Sequence, residues 1–146
     1  MVFFPRKFLK KKEGDQILEC IRAAENKTSG EIRVHFQKKI KKPLLEAAAD
    51  TFFELKMDET KDRNGILIFI VPKVKKFAII GDEGINNVVP NDFWDEIKNI
   101  LEEHFKEKSW VKGICMAIEL TGEKLKKYFP VQEDDVNELP DEISYS

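Results

Sequence analysis

Ile66-Leu67-Ile68-Phe69-Ile70-Val71 decides the fold. Six consecutive apolar residues, most of them β-branched, lie between Asn64-Gly65 and Pro72, too short a run for a buried helix and bounded by breakers on both sides. A strand with one wet face alternates, whereas an unbroken apolar run marks a strand covered on both faces. Layers must therefore flank the sheet on each side.

Working outward, Pro72 to Lys76 is a short polar connection, and Phe77 to Ile80 is a second apolar run. The pair reads as an antiparallel hairpin. Upstream, Glu31 to Gln37 alternates, with Ile32, Val34 and Phe36 on one face and Arg33, His35 and Gln37 on the other. That is the pattern of a half-exposed strand, placed near a sheet edge. Pro43 suits the first turn of an intervening helix that carries Leu44, Ala48, Phe52 and Leu55, which makes a strand, helix, strand crossover and a mixed sheet. A first helix is expected over Gly14 to Asn26, a further one capped by Asn91 or Asp92 and bearing Phe93, Ile97, Leu101 and Phe105, and a last one over Ser109 to Tyr128. In the last, Gly113 and Gly122 are weak points or close-packing positions. The fold class is α/β, a three-layer α/β/α sandwich with a small mixed sheet.

At 146 residues the chain fits one domain, residues 1–130, opened by a basic segment over 1–13. The rest, 131–146, is an acidic tail with six carboxylates and no basic residue, read as mobile, with Leu139, Ile143 and Tyr145 as anchors that could dock it. Charge is uneven: residues 1–80 hold 18 Lys and Arg against 11 Asp and Glu, and residues 81–146 hold 7 against 16. Such asymmetry fits an acidic tail over a basic face, or a basic surface for an anionic partner. Cys20 and Cys115 sit in helical patterns and read as reduced and buried. Neither a signal peptide nor a bilayer-spanning run is recognisable, and a cytoplasmic location is the expectation.

The sharpest constellation is Asp62, Arg63 and Asn64 before the central strand, with Asp82, Glu83 and Asn86 after its hairpin partner. Because a hairpin reverses direction, the two loops lie at the same end of the sheet. Oxygens of Asp62, Asn64, Asp82, Glu83 and Asn86 converging there could hold Ca2+ or Mg2+, and Arg63 could take a phosphate or other anion in a bidentate fork. The competing reading is a pair of solvated turns, since Asn-Gly and Gly-Asp-Glu-Gly are ordinary turn chemistry. His35 and His104 stand on separate elements without ligand spacing, and neither cysteine lies in a phosphate-cradling loop. Arg6, Lys7, Lys10, Lys11 and Lys12, interleaved with Phe3, Phe4 and Phe8, could touch an anionic membrane surface or a protein partner, or simply cover the core. Lys38, Lys39, Lys41 and Lys42 form a second basic run, and without stacking aromatics it does not indicate nucleic acid.

The element order, with Lys27-Thr28-Ser29-Gly30-Glu31-Ile32 before the first strand, Arg63-Asn64-Gly65 before the central one and Gly81 to Pro90 after the hairpin, resembles the TPM-domain family. The resemblance spans Gly14 to Tyr128. It implies the same sandwich, and it brings activities reported for some members, acid phosphatase and calcium binding. Many members are membrane-anchored and extracytoplasmic. This chain departs at the chemistry: Arg63 stands where the family commonly has Asp, and Gly81-Asp82-Glu83-Gly84-Ile85-Asn86 replaces glycine, aromatic, glycine, leucine, glutamate. The sequence thus supports a binding or scaffolding module with a divalent-cation site at the strand-end loops, with metal-assisted hydrolysis of phosphate monoesters as the alternative.

Overall fold

In the computed structural model, residues 9–132 and 142–146 are described. Helix α1 (Lys11–Glu25) leads to strand β1 (Glu31–Phe36), helix α2 (Leu44–Glu54) and strand β2 (Gly65–Val71). A turn of 3-10 helix over Pro72–Val74 joins β2 to β3 (Lys76–Gly81), and α3 (Glu83–Asn86), α4 (Asp95–Lys106), α5 (Trp110–Leu125) and β4 (Ile143–Tyr145) follow. The sheet order is β3-β2-β1-β4, with β2 antiparallel to β3 and β1 parallel to both β2 and β4.

The apolar run behaves as its composition demands, since every residue of β2 is buried. Ile66, Ile68 and Ile70 face a core shared with Ile17 and Ile21 of α1, Ile97 and Leu101 of α4 and Ile114 and Ile118 of α5. Leu67, Phe69 and Val71 face a smaller core built with Ala48 and Phe52 of α2, together with Met57 and Ala78. Helices α1, α4 and α5, with the short α3 through Ile85, on one face and α2 on the other complete the sandwich.

Helix α1 starts three residues before the expected Gly14, because Glu13 Oε1 accepts the Lys10 backbone N–H at 2.9 Å and closes the first turn. Helix α4 starts later than expected, at Asp95, since residues 91–94 form turns ahead of it. Two larger corrections concern β1 and the tail. Strand β1 is not at an edge and not half-exposed: all six of its residues are buried. Its outer neighbour is the end of the acidic segment, so residues 143–145 are docked rather than mobile. Leu139 lies outside the described residues, as do Phe3, Phe4, Arg6, Lys7 and Phe8 of the basic segment.

Candidate functional site

The hairpin places its two ends side by side, as the strand arithmetic requires: Ile66 is opposite Gly81, and the Asp82 N–H donates to the Gly65 carbonyl at 3.0 Å. The loops on either side then touch. Gly84 N–H donates to the Arg63 carbonyl at 2.9 Å, and a Cβ on Gly84 would lie 2.2 Å from the Asp62 carbonyl oxygen and 2.5 Å from that of Arg63. Only glycine permits this approach. Arg63 itself sits in the left-handed region at φ 50°, a conformation that costs a non-glycine residue free energy and persists because its surroundings fix it.

What fixes it is a fork. Arg63 Nε donates to Asp82 Oδ2 at 2.8 Å and Nη2 to Oδ1 at 3.0 Å, while Nη1 reaches Glu83 Oε1 at 3.1 Å. Asp82 is buried, and its Oδ1 also accepts the Glu83 N–H at 2.8 Å, which caps the short helix α3. Its hydrogen bonds to Asp82, outweighing the opposing effect of desolvation, raise the Arg63 pKa further above its usual value.

Asn64 is also buried, at 2% exposure, but its work is structural. Its backbone N–H donates to Thr60 Oγ1 at 3.2 Å, its side-chain Nδ2 to the Ser29 carbonyl at 3.3 Å, and its carbonyl accepts from the Glu31 N–H at 3.2 Å. It therefore ties the loop before β2 to the loop before β1. Thr60 and Ser29 are the partners that reading the sequence missed; the parallel pairing of Glu31 with Gly65 brings the second of them into reach. Asn86 turns its amide Nδ2 to the Gly81 carbonyl at 2.8 Å, and Asp62 and Glu83 remain exposed.

The structure brings the proposed ligand residues to one end of the sheet but engages the oxygens of Asp82 and one of Glu83 internally. Both Asp82 oxygens and one of Glu83 bind Arg63, so a guanidinium holds the position that a divalent cation would need. Among the described residues, no group of three or more His, Cys, Asp or Glu side chains is placed to hold a metal ion. As folded, Asp82 is not open to Ca2+ or Mg2+ without displacement of Arg63.

Other residues singled out by the sequence lie elsewhere. His35 is buried and stacked on Phe69 with ring centroids 5.5 Å apart. Burial lowers its pKa, with Arg33 adding to the effect and the Gln37 hydrogen bond and Glu54 opposing it. His104 Nδ1 bonds the Ile100 carbonyl at 2.8 Å. Cys20 and Cys115 are free thiols, and burial together with the neighbouring Cys20 pushes the Cys115 thiol well up, away from the reactive thiolate. Lys38, Lys39, Lys41 and Lys42 line a cleft with Asp50, Thr51 and Glu54 at the opposite end of the sheet, where Lys42 pairs with Asp50. Among the described residues no helix is long and apolar enough to cross a membrane.

Comparison with known proteins agrees with this architecture. The chain is similar to the BA42 protein of the psychrophilic bacterium Bizionia argentinensis, at 45% identity and a TM-score of 0.92 over 97% of each chain. It is also similar in fold to the N-terminal domain of the cg2496 protein of Corynebacterium glutamicum, at 10% identity and a TM-score of 0.62, covering 98% of this chain and 91% of that one. No curated protein matches the sequence. The model of the TPM domain matches residues 2–124, most of the length, and the chain belongs to the TPM-domain family.

Proposed function

We propose that the protein is a binding module whose recognition surface is the pair of loops at the junction of β2 and β3. The observation that carries this reading is the Arg63–Asp82 fork, at 2.8 and 3.0 Å, which locks the loops together while leaving the Asp62 and Glu83 carboxylates exposed. A rigid, charged platform of this kind loses little conformational entropy on binding, the condition for an effective contact surface. Two free cysteines fit a reducing compartment such as the cytoplasm.

Ca2+ or Mg2+ would bind here only by displacing Arg63 from Asp82. Hydrolysis of phosphate monoesters by this site would require the same bound cation in place of Arg63, so the two readings share one test. Calcium and then magnesium are titrated into labelled protein while the amides of Asn64, Gly65, Gly81, Asp82 and Gly84 are followed, in the wild type and in Arg63→Ala. The expected result is cation binding at least tenfold tighter in Arg63→Ala. Saturable shifts of these loops at submillimolar metal in the wild type would refute the assignment of Arg63 as the internal counter-charge and make a chelator-sensitive phosphatase assay the next step.

A further inference from the structure

The part of the chain that matches the family ends at residue 124, ahead of β4. Without β4, β1 would be the sheet edge, and the segment that follows α5 supplies a strand to it. The acceptor edge is specific at successive positions. Arg33 Nη2 donates to Glu142 Oε1 at 2.8 Å. Ile143 lies opposite Val34 and packs on the larger core near Gly14 of α1. His35 Nδ1 is 2.6 Å from Ser144 Oγ, and the rings of Phe36 and Tyr145 stack with centroids 5.7 Å apart. The backbone adds Ser146 N–H to the Phe36 carbonyl at 2.9 Å and Lys38 N–H to the Ser146 carbonyl at 2.7 Å.

Two observations show that this seat is not filled to capacity. The Arg33 side chain is 7% exposed, yet its Nε is buried without a hydrogen-bond partner, so Glu142 occupies one arm of a fork that could take a carboxylate on two. Strand β4 has only three residues, each half-buried, beside a β1 that is buried throughout. Short elements with few buried contacts open locally well before the rest of a fold.

We propose that the outer edge of β1 is a strand-binding site for an extended peptide of a partner protein, with the order acidic, aliphatic, hydroxyl, aromatic, and that residues 142–146 are its displaceable occupant in cis. Recognition is strand addition: the ladder supplies affinity, and Arg33, His35 and Phe36 supply the choice of side chains. A tethered occupant competes at an effective concentration in the millimolar range, so a partner must bind more tightly than that or act when the segment is held elsewhere.

The test uses the labelled full-length chain carrying Ser144→Pro, which removes a ladder donor from β4, and a synthetic peptide with the sequence of residues 141–146. Saturable shifts at Val34, His35, Phe36 and Lys38 are expected, with β2 and β3 unmoved. Binding at least tenfold weaker is expected for the same peptide with lysine in place of Glu142, and for the unmodified peptide added to the wild-type chain. A folded Ser144→Pro chain that shows no shift in β1 at millimolar peptide overturns the proposal. So does a concentration-dependent dimer that exchanges its own segments while ignoring the peptide. Should the variant not fold, amide exchange in the wild type decides: Ser144, Ser146 and Lys38 exchanging at least a hundredfold faster than Ile68 supports a displaceable strand, and equal protection overturns it.

Discussion

One substitution, glycine to alanine, is expected to change stability in opposite directions at two helical positions, and the sign follows from distances. At Gly113 in α5 a Cβ would lie 2.4 Å from His104 Cβ, an atom rigidly fixed to the backbone of α4. At Gly14 in α1 the nearest neighbour among the described residues would be Ile143 Cδ1 at 3.8 Å, an ordinary contact. Alanine is favoured over glycine in a helix interior by about 1 kcal/mol. Forcing an extra carbon into a packed interface costs about 1–3 kcal/mol. Gly14→Ala is therefore expected to stabilise by up to about 1 kcal/mol, and Gly113→Ala to destabilise by up to about 2 kcal/mol, the propensity gain being set against the clash. The difference between the two variants, about 1–3 kcal/mol, isolates the packing cost because the propensity gain cancels. Urea unfolding with a common m-value measures it directly. A Gly113→Ala protein stabilised as much as Gly14→Ala would refute the close approach of α4 and α5.

Removing the Asn64 side chain in Asn64→Ala leaves the Ser29 carbonyl without that donor, and a loss of about 1–3 kcal/mol is expected in urea unfolding; a change within 0.5 kcal/mol, the scale of an ordinary surface substitution, would remove Asn64 as the tie between the loops. Gly84→Ala should push apart the Asp62–Arg63 and Asp82–Glu83 loops, at about 1–3 kcal/mol, with amide shifts confined to them; shifts that leave one loop silent would contradict their contact. The His35 pKa is lowered from 6.5 in the fold, so the unfolded chain takes up the proton first: this contribution to stability is complete above pH 6.5 and declines as pH falls through the folded value. The fall in urea midpoint between pH 7.5 and 5.5 is expected to shrink in His35→Gln, and an unchanged fall would assign it to other groups.

Much of the sheet was legible because β2 has no polar residue to confuse its reading and because Pro72 and the lysines mark the turn to β3. The neighbourhood of the two loops followed from that hairpin alone. Strand β4 was not legible. Three residues, Ile143-Ser144-Tyr145, give no periodicity to read, and their partner lies 109 positions away in sequence. That omission also misplaced β1: its alternation of apolar with Arg33, His35 and Gln37 matches a wet face, whereas Arg33 and His35 are buried against Glu142, Ser144 and Ser146 and Gln37 is half-buried. At the candidate site the residue types were legible and their engagement was not. Whether Arg63 meets a ligand or Asp82 depends on a left-handed backbone at position 63, and a sequence pattern does not specify that for arginine.

The long separation between β1 and β4 bears on how the chain is made. Translation at about 5–20 residues per second leaves roughly 5–20 s between the emergence of β1 and that of the strand that covers it. Throughout that interval the nascent domain exposes an unpaired strand edge, the usual template for aggregation. Arg33 and His35, set between Ile32, Val34 and Phe36, break what would otherwise be a continuous apolar strand, so the residues that later seat β4 first act as gatekeepers on the ribosome.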